Sequence, residues 1–161
     1  MPTPSTMAIF VDVQNIYYTT RQAYGRQFNY RLLWQQLTAQ GNIMSATAYA
    51  IKRDDDKQQK FQDALRHIGF TLKFKPYIQR SDGSAKGDWD VGIAIDVMEA
   101  AQSGQFERII LLSGDGDFDM LMNKVRSYGI VAESYGVPSL TANSLIESCD
   151  VYHPIEYALL L

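Results

Sequence analysis

The chain has 161 residues, 46% of them hydrophobic and 20% charged, a composition that fits one globular, soluble domain with a real core. A net charge of -3 excludes general attraction to polyanions, so any nucleic acid would need a local basic patch working against the average. The single cysteine, Cys149, excludes an internal disulfide and suits a reducing compartment, and no apolar run approaches the roughly 20 residues of a membrane span, so the expected location is the cytoplasm.

Residues 1–6, polar and rich in proline, are expected to form a flexible tail before a single domain over 7–161. "MAIFVDV" (7–13) is β-branched and apolar and reads as a buried strand. Tyr30, Leu33, Trp34 and Leu37 recur with helical spacing, and Asn29 is placed to cap them. "IMSATAYAI" (43–51) reads as a second strand. Asp54 to Asp56 open a helix carrying Phe61, Leu65 and Ile68, which Gly69 ends. "FTLKFKPYI" (70–78) alternates as a half-exposed strand near an edge would, and "RSDGSAKG" (80–87) is a loop by composition. Residues 88–102 are helical and apolar on several sides, which predicts a buried helix. "FERIILL" (106–112) is a strand, Phe118, Leu121, Met122 and Val125 form the next helical stripe, 129–136 is a strand and 139–149 a short helix. The apolar end "IEYALLL" reads as a final core strand in preference to a docking strip. Strands alternating with helices predict a three-layer α/β/α sandwich with a mostly parallel central sheet of Rossmann-like topology.

The acids fall where such sheets bind ligands, outside the carboxyl ends of strands. Asp12 sits near the end of the first strand, Asp115 and Asp117 follow "RIILL", and Asp90 opens the helix after "SAKGDW". If these three segments are neighbours, four carboxylates converge on one edge. An all-oxygen set favours Mg²⁺ or Mn²⁺, and such centres suit phosphodiester hydrolysis. His67 and His153 lie far from every acid cluster and Cys149 is alone, so zinc has no support. Asp88 and Asp119 read as helix caps, and Asp54 to Asp56 as capping and solvated charge. Asp96, six residues beyond Asp90, lies about 240° around the helix and is expected either behind the site or paired elsewhere. Asn15 either bonds Asp12 or starts the first helix.

Other readings of "SGDGDFDML" (113–121) fail. An EF-hand loop starting at Asp115 would need Glu where Arg126 stands. Gly114 and Gly116 lack the third glycine of a dinucleotide fingerprint, whose place Asp119 takes, and no Walker-type loop is present. The match to thiamine-diphosphate motifs is only three residues long. A phospho-aspartate mechanism would need a second Asp where Gln14 stands.

Taken together, "FVDVQN" (10–15), "KGDWDVGIAIDVM" (86–98) and "LLSGDGDFDML" (111–121) resemble the NYN domain, a PIN-like nuclease family, and most closely its bacterial LabA-like branch. The resemblance implies a PIN-like sheet and a metal-dependent ribonuclease centre. By position it implies catalytic and metal-binding roles for Asp12, Asp90, Asp115 and Asp117, with Asn15, Ser113 and Asp96 as supporting polar residues. The cofactor implied is Mg²⁺ or Mn²⁺, and the partner is RNA in single-stranded form. A non-catalytic module that binds RNA or a protein is the alternative, and a second copy of the chain or a protein partner remains open.

RNA would need cations near the acids. "KFKPYIQR" (73–80) interleaves Lys73, Lys75 and Arg80 with Phe74 and Tyr77 and leads towards Lys86. Lysine and arginine can hold phosphates, and an aromatic ring can stack on an unpaired base. The bland alternative is a solvated edge strand. Arg21, Arg26, Arg31, Lys52 and Arg53 are further cations with no geometry to place them, and nothing predicts strong sequence specificity.

Overall fold

The computed structural model describes residues 5–52, 55–76, 78–79, 85–86 and 89–161. In chain order these form β1 (Ser5–Asp12), α1 (Val13–Tyr24), α2 (Tyr30–Thr38), β2 (Gly41–Lys52), α3 (Asp56–Ile68), β3 (Thr71–Pro76), β4 (Ile78–Gln79) and β5 (Ala85–Lys86). There follow α4 (Asp90–Ser103), β6 (Arg108–Leu112), α5 (Asp119–Ser127), β7 (Val131–Gly136), α6 (Asn143–Ser148) and β8 (Val151–Pro154). Six strands make one sheet in the order β3-β2-β1-β6-β7-β8, with every neighbouring pair parallel. The chain winds outward from β1 to β3, returns across the sheet, and winds outward again from β6. The reversal therefore falls between β1 and β6.

Alternation along the strands sends side chains to two opposite layers. Met7, Ile9 and Val11 of β1, with Ile110 and Leu112 of β6, pack under Ile16 of α1, Leu33 and Leu37 of α2, and Leu65 of α3. Ala8, Phe10, Ile109 and Leu111 face the other way, against Ile93 and Val97 of α4, Met122 and Val125 of α5, and Leu145 of α6. The expected α/β/α sandwich is therefore the fold. Local signals act as read: Asn29 accepts a hydrogen bond from Leu32 N at 3.1 Å, and Asp55 accepts one from Gln58 N at 2.8 Å. Gly69 ends α3 at φ 138°, a left-handed value that side chains resist.

Several expectations are corrected. Ser5 and Thr6, expected in the tail, pair with Gly41 and Asn42 as the start of β1. Val13, read as the last residue of the strand, is the first residue of α1, the helix that one reading of Asn15 anticipated. Helix α4 is not buried all round. Ile93, Val97 and Ala101 are covered by the sheet, whereas Val91 and Ile95 are 71% and 60% exposed, because no described element packs outside α4. Within the segment read as loop, Ala85 and Lys86 pair antiparallel with Gln79 and Ile78. The last strand, β8, precedes the apolar end. That end buries Ile155 and Leu160, turns once over Tyr157–Leu159, and bridges Leu160 to Phe28. No described helix is long and apolar enough to cross a membrane.

Candidate metal centre

The switch between β1 and β6 brings Asp12 beside Ser113, at the carboxyl ends of two adjacent strands. Asp12 is only 8% exposed, so its carboxylate requires donors. Ser113 Oγ donates to Oδ2 at 3.2 Å, and Asn15 N approaches Oδ1 at 3.4 Å as Asp12 caps α1. The fully buried Ser113 hydroxyl also accepts from Asp115 N at 3.2 Å. Asn15 Oδ1 accepts from Gly114 N at 2.9 Å, and Ala142 N donates to Gly114 O at 3.1 Å. Asn15 thus both stands at the start of α1 and ties the Ser113–Asp115 loop to it. Asp12, Asn15 and Ser113 fix the backbone from which Asp115 projects.

Asp115 Oδ1 accepts from Asp117 N at 2.9 Å and caps a single 3₁₀ turn, Gly116–Phe118. Phe118 is buried and anchors that turn, which orients both carboxylates. Asp90, in the first turn of α4, arrives from the other side. Asp90, Asp115 and Asp117 each offer a carboxylate oxygen, and these oxygens lie within 4.8 Å of one another. The group does not include Asp12. Asp90 and Asp115 are half-buried and Asp117 is exposed, so the triad opens to solvent, while Asp12 is buried against Ser113. Donors that are all carboxylate oxygen fit a hard divalent cation such as Mg²⁺ or Mn²⁺ and not a soft one.

The remaining residues named from the sequence separate. Asp119, expected as a cap, is instead the first residue of α5 after the N-cap Phe118, and its Oδ1 accepts from the adjacent Met120 N at 2.5 Å. Asp96 accepts from Tyr49 OH at 2.7 Å and from Lys73 Nζ at 2.6 Å, so it pairs with the β2–β3 edge and not with the triad. Burial alone would raise the Asp96 carboxyl, but the Lys73 and Tyr49 hydrogen bonds and the Lys73 charge hold it below its ordinary value. The Tyr49 hydroxyl is held above its ordinary value, by burial first and then by Asp96. Lys75 Nζ lies 4.7 Å from the centre of the Trp89 ring. Tyr77 and Arg80 lie outside the described residues, as do Asp54 and Asp88, and for Lys86 only the backbone pairing with Ile78 is described.

Two contributions escaped sequence reading. Trp89, next to Asp90, donates its indole N–H to Ala50 O at 2.8 Å and meets Tyr49 edge to face, tying the start of α4 to β2. The available signal was an aromatic immediately before the helix. The second is the small size demanded at position 114. A Cβ on Gly114 would lie 2.8 Å from Leu140 O and 3.0 Å from Thr141 Oγ1, with backbone in the way. Gly114→Ala is expected to cost about 1–3 kcal/mol by overpacking and to displace the Asp115 backbone. Urea unfolding checks the first effect and Mn²⁺ affinity the second. An unchanged midpoint and affinity would show that the loop yields freely.

A family model described as the NYN domain matches residues 6–156. The chain is 28% identical over 157 residues to the low amplitude and bright protein LabA of Synechococcus elongatus, covering 92% of this chain and 83% of that one. Its structure matches the crystal structure of a Vibrio parahaemolyticus protein of unknown function with a TM-score of 0.93 and 46% identity, over 100% of this chain and 99% of that one.

Proposed function

The chain belongs to the NYN domain family, a nuclease-like family, and on that footing we propose that it is a ribonuclease dependent on Mg²⁺ or Mn²⁺. The observation that carries this reading is the convergence of Asp90, Asp115 and Asp117, from two separate segments, on one point at the switch of the sheet. Asp90, Asp115 and Asp117 hold the cation. When bound, the cation supplies an activated water at neutral pH and charge stabilisation for the leaving oxygen. Asp12 adds a buried negative charge next to Ser113 and, through Ser113, fixes where Asp115 points. The exposed Asp117 side of the triad is the side from which a phosphodiester enters. Asn15 and Ser113 act as positioning residues, while Asp96 holds Lys73 at the sheet edge.

The test is incubation of the protein with single-stranded RNA, with and without Mn²⁺. Cleavage that requires the metal supports the reading. Binding without cleavage, unaffected by metal, would support instead a module that keeps the fold and binds RNA or a protein partner.

A further inference from the structure

A cavity of about 1240 Å³ opens on the face covered by α1, α2 and α3. Its described lining carries four cationic side chains, Arg21, Arg31, Lys57 and Lys60, against one acidic side chain, Asp55. In a chain of net charge -3 this is a marked local reversal. Arg31, Lys57 and Lys60 are exposed and lie on α2 and α3, two helices in contact with one another. Two tyrosines of α1 line the same wall, Tyr17 and Tyr18, 39% and 50% exposed, with ring centres 5.4 Å apart and edge to face. Arg21 hydrogen-bonds to the Tyr17 hydroxyl and lies over its ring. None of Asp12, Asp90, Asp115 or Asp117 lines the cavity, but its lining reaches the start of α1 at Val13, next to Asp12. Gln14 lines it two residues after Asp12, and Tyr30 lines it close enough that the Asp12 charge, after burial, helps hold its hydroxyl above the ordinary value.

We infer that this groove is the track for a single-stranded polynucleotide leading to the carboxylate triad, an assignment that rests on the ribonuclease reading. The chemistry selects the ligand. Cations spaced along a groove match a repeating phosphodiester, and exposed aromatic faces between them accept unpaired bases regardless of sequence. Exposed rings suit unpaired bases and not an A-form duplex, whose bases are already stacked. The groove supplies cations other than Lys73, whose charge is committed to Asp96.

The experiment uses the full chain and fluorescein-labelled dodecauridylate followed by anisotropy, in EDTA so that the strand stays intact. The R31A/K57A/K60A variant is compared with wild type and with Lys124→Ala, which lies on the opposite face. All three groove positions are exposed, so the fold is expected to persist, and circular dichroism verifies it. The groove variant is expected to bind about tenfold or more weakly at about 0.1 M salt. Its salt slope should flatten by about 2, since each single-strand phosphate contact contributes about 0.7. Tyr18→Ala should weaken binding without changing the slope, and Lys124→Ala should stay within about twofold of wild type. Equal affinity and equal slope for the groove variant would overturn the assignment, as would a duplex RNA that binds as tightly as the single strand. If wild type cleaves RNA with Mn²⁺ and the groove variant binds and cleaves equally well, the track falls and the ribonuclease reading stands. If wild type neither binds nor cleaves, both fall.

Discussion

An Asp115→Asn variant is expected to retain its fold and to cleave single-stranded RNA at least about a hundredfold more slowly than wild type in Mn²⁺. Asparagine keeps an oxygen where Asp115 Oδ1 accepts from Asp117 N, and it caps helical turns about as well as aspartate. The 3₁₀ turn and the buried Phe118 that anchors it therefore remain. What is lost is one of three carboxylate charges within 4.8 Å. A hard cation depends on that charge. Metal stabilisation of a phosphodiester transition state is worth several kcal/mol, and each ~1.4 kcal/mol is a factor of ten in rate, so a loss of roughly 10²–10³ follows. Single-turnover cleavage beside a melting curve separates the two effects. Equal cleavage by both proteins would place the activity elsewhere.

The second large effect concerns Glu133, which is distant from the triad in role. Glu133 is buried on β7 between Arg108 of β6 and His153 of β8. Arg108 binds it with two hydrogen bonds, Nε at 2.5 Å and Nη2 at 3.0 Å, and His153 Nε2 lies 2.7 Å from Oε1. The His153 ring stacks on Tyr135, 4.3 Å between centres. Burial pushes the Glu133 carboxyl up, but the hydrogen bonds and charges of His153 and Arg108 more than reverse this and hold it below 4.5. Burial, then the Glu133 charge, also pushes the Tyr135 hydroxyl up to about 12.

Removing one member of a buried pair strands the other. Glu133→Gln is therefore expected to cost about 3 kcal/mol at pH 7, towards the lower end of such losses because the Arg108 side chain keeps 15% exposure. For a chain of this size that is a fall of roughly 6–12 °C in Tm. The pH dependence follows from the sign of the shift. A carboxyl depressed in the folded state contributes stability in full above its unfolded value, and that contribution is lost as pH falls through the folded value. The gap between wild type and Glu133→Gln should thus be full at pH 7 and shrink below about pH 4.5. A gap independent of pH would mean that the carboxylate charge is not what stabilises β6, β7 and β8.

The sequence carried the triad because its logic is local. Each of Asp90, Asp115 and Asp117 sits at a helix or turn start adjoining an apolar run, and alternation of strands and helices says that such points gather at one edge. What it could not carry depends on register between strands. Tyr49 and Lys73 are direct partners across β2 and β3, which places them together under Asp96 on α4. Without that register, Lys73 reads as a cation for RNA and Asp96 as a residue either behind the site or paired elsewhere. The exposure of Val91 and Ile95 was hidden for a different reason. An apolar helix surface says that it favours cover, but only the packing of neighbouring layers says whether cover is there. The basic groove was invisible because Arg21, Arg31, Lys57 and Lys60 belong to three helices that meet only in the folded chain. Asp12 was legible as a buried acid, whereas its bond to Ser113 across 101 positions was not.

The central claim is that Asp90, Asp115 and Asp117 form a divalent-cation centre, and thermal melting during a Mn²⁺ titration tests it most directly. A cation that binds only the folded state stabilises it by about 2.7 kcal/mol at a hundredfold excess over Kd, or roughly 5–10 °C here. The account predicts that rise for wild type and its loss in Asp117→Asn, whose melting without metal should be no lower than that of wild type because one of the clustered charges is gone. A wild-type Tm that does not move with excess Mn²⁺ or Mg²⁺, or one that rises equally in Asp117→Asn, would contradict it.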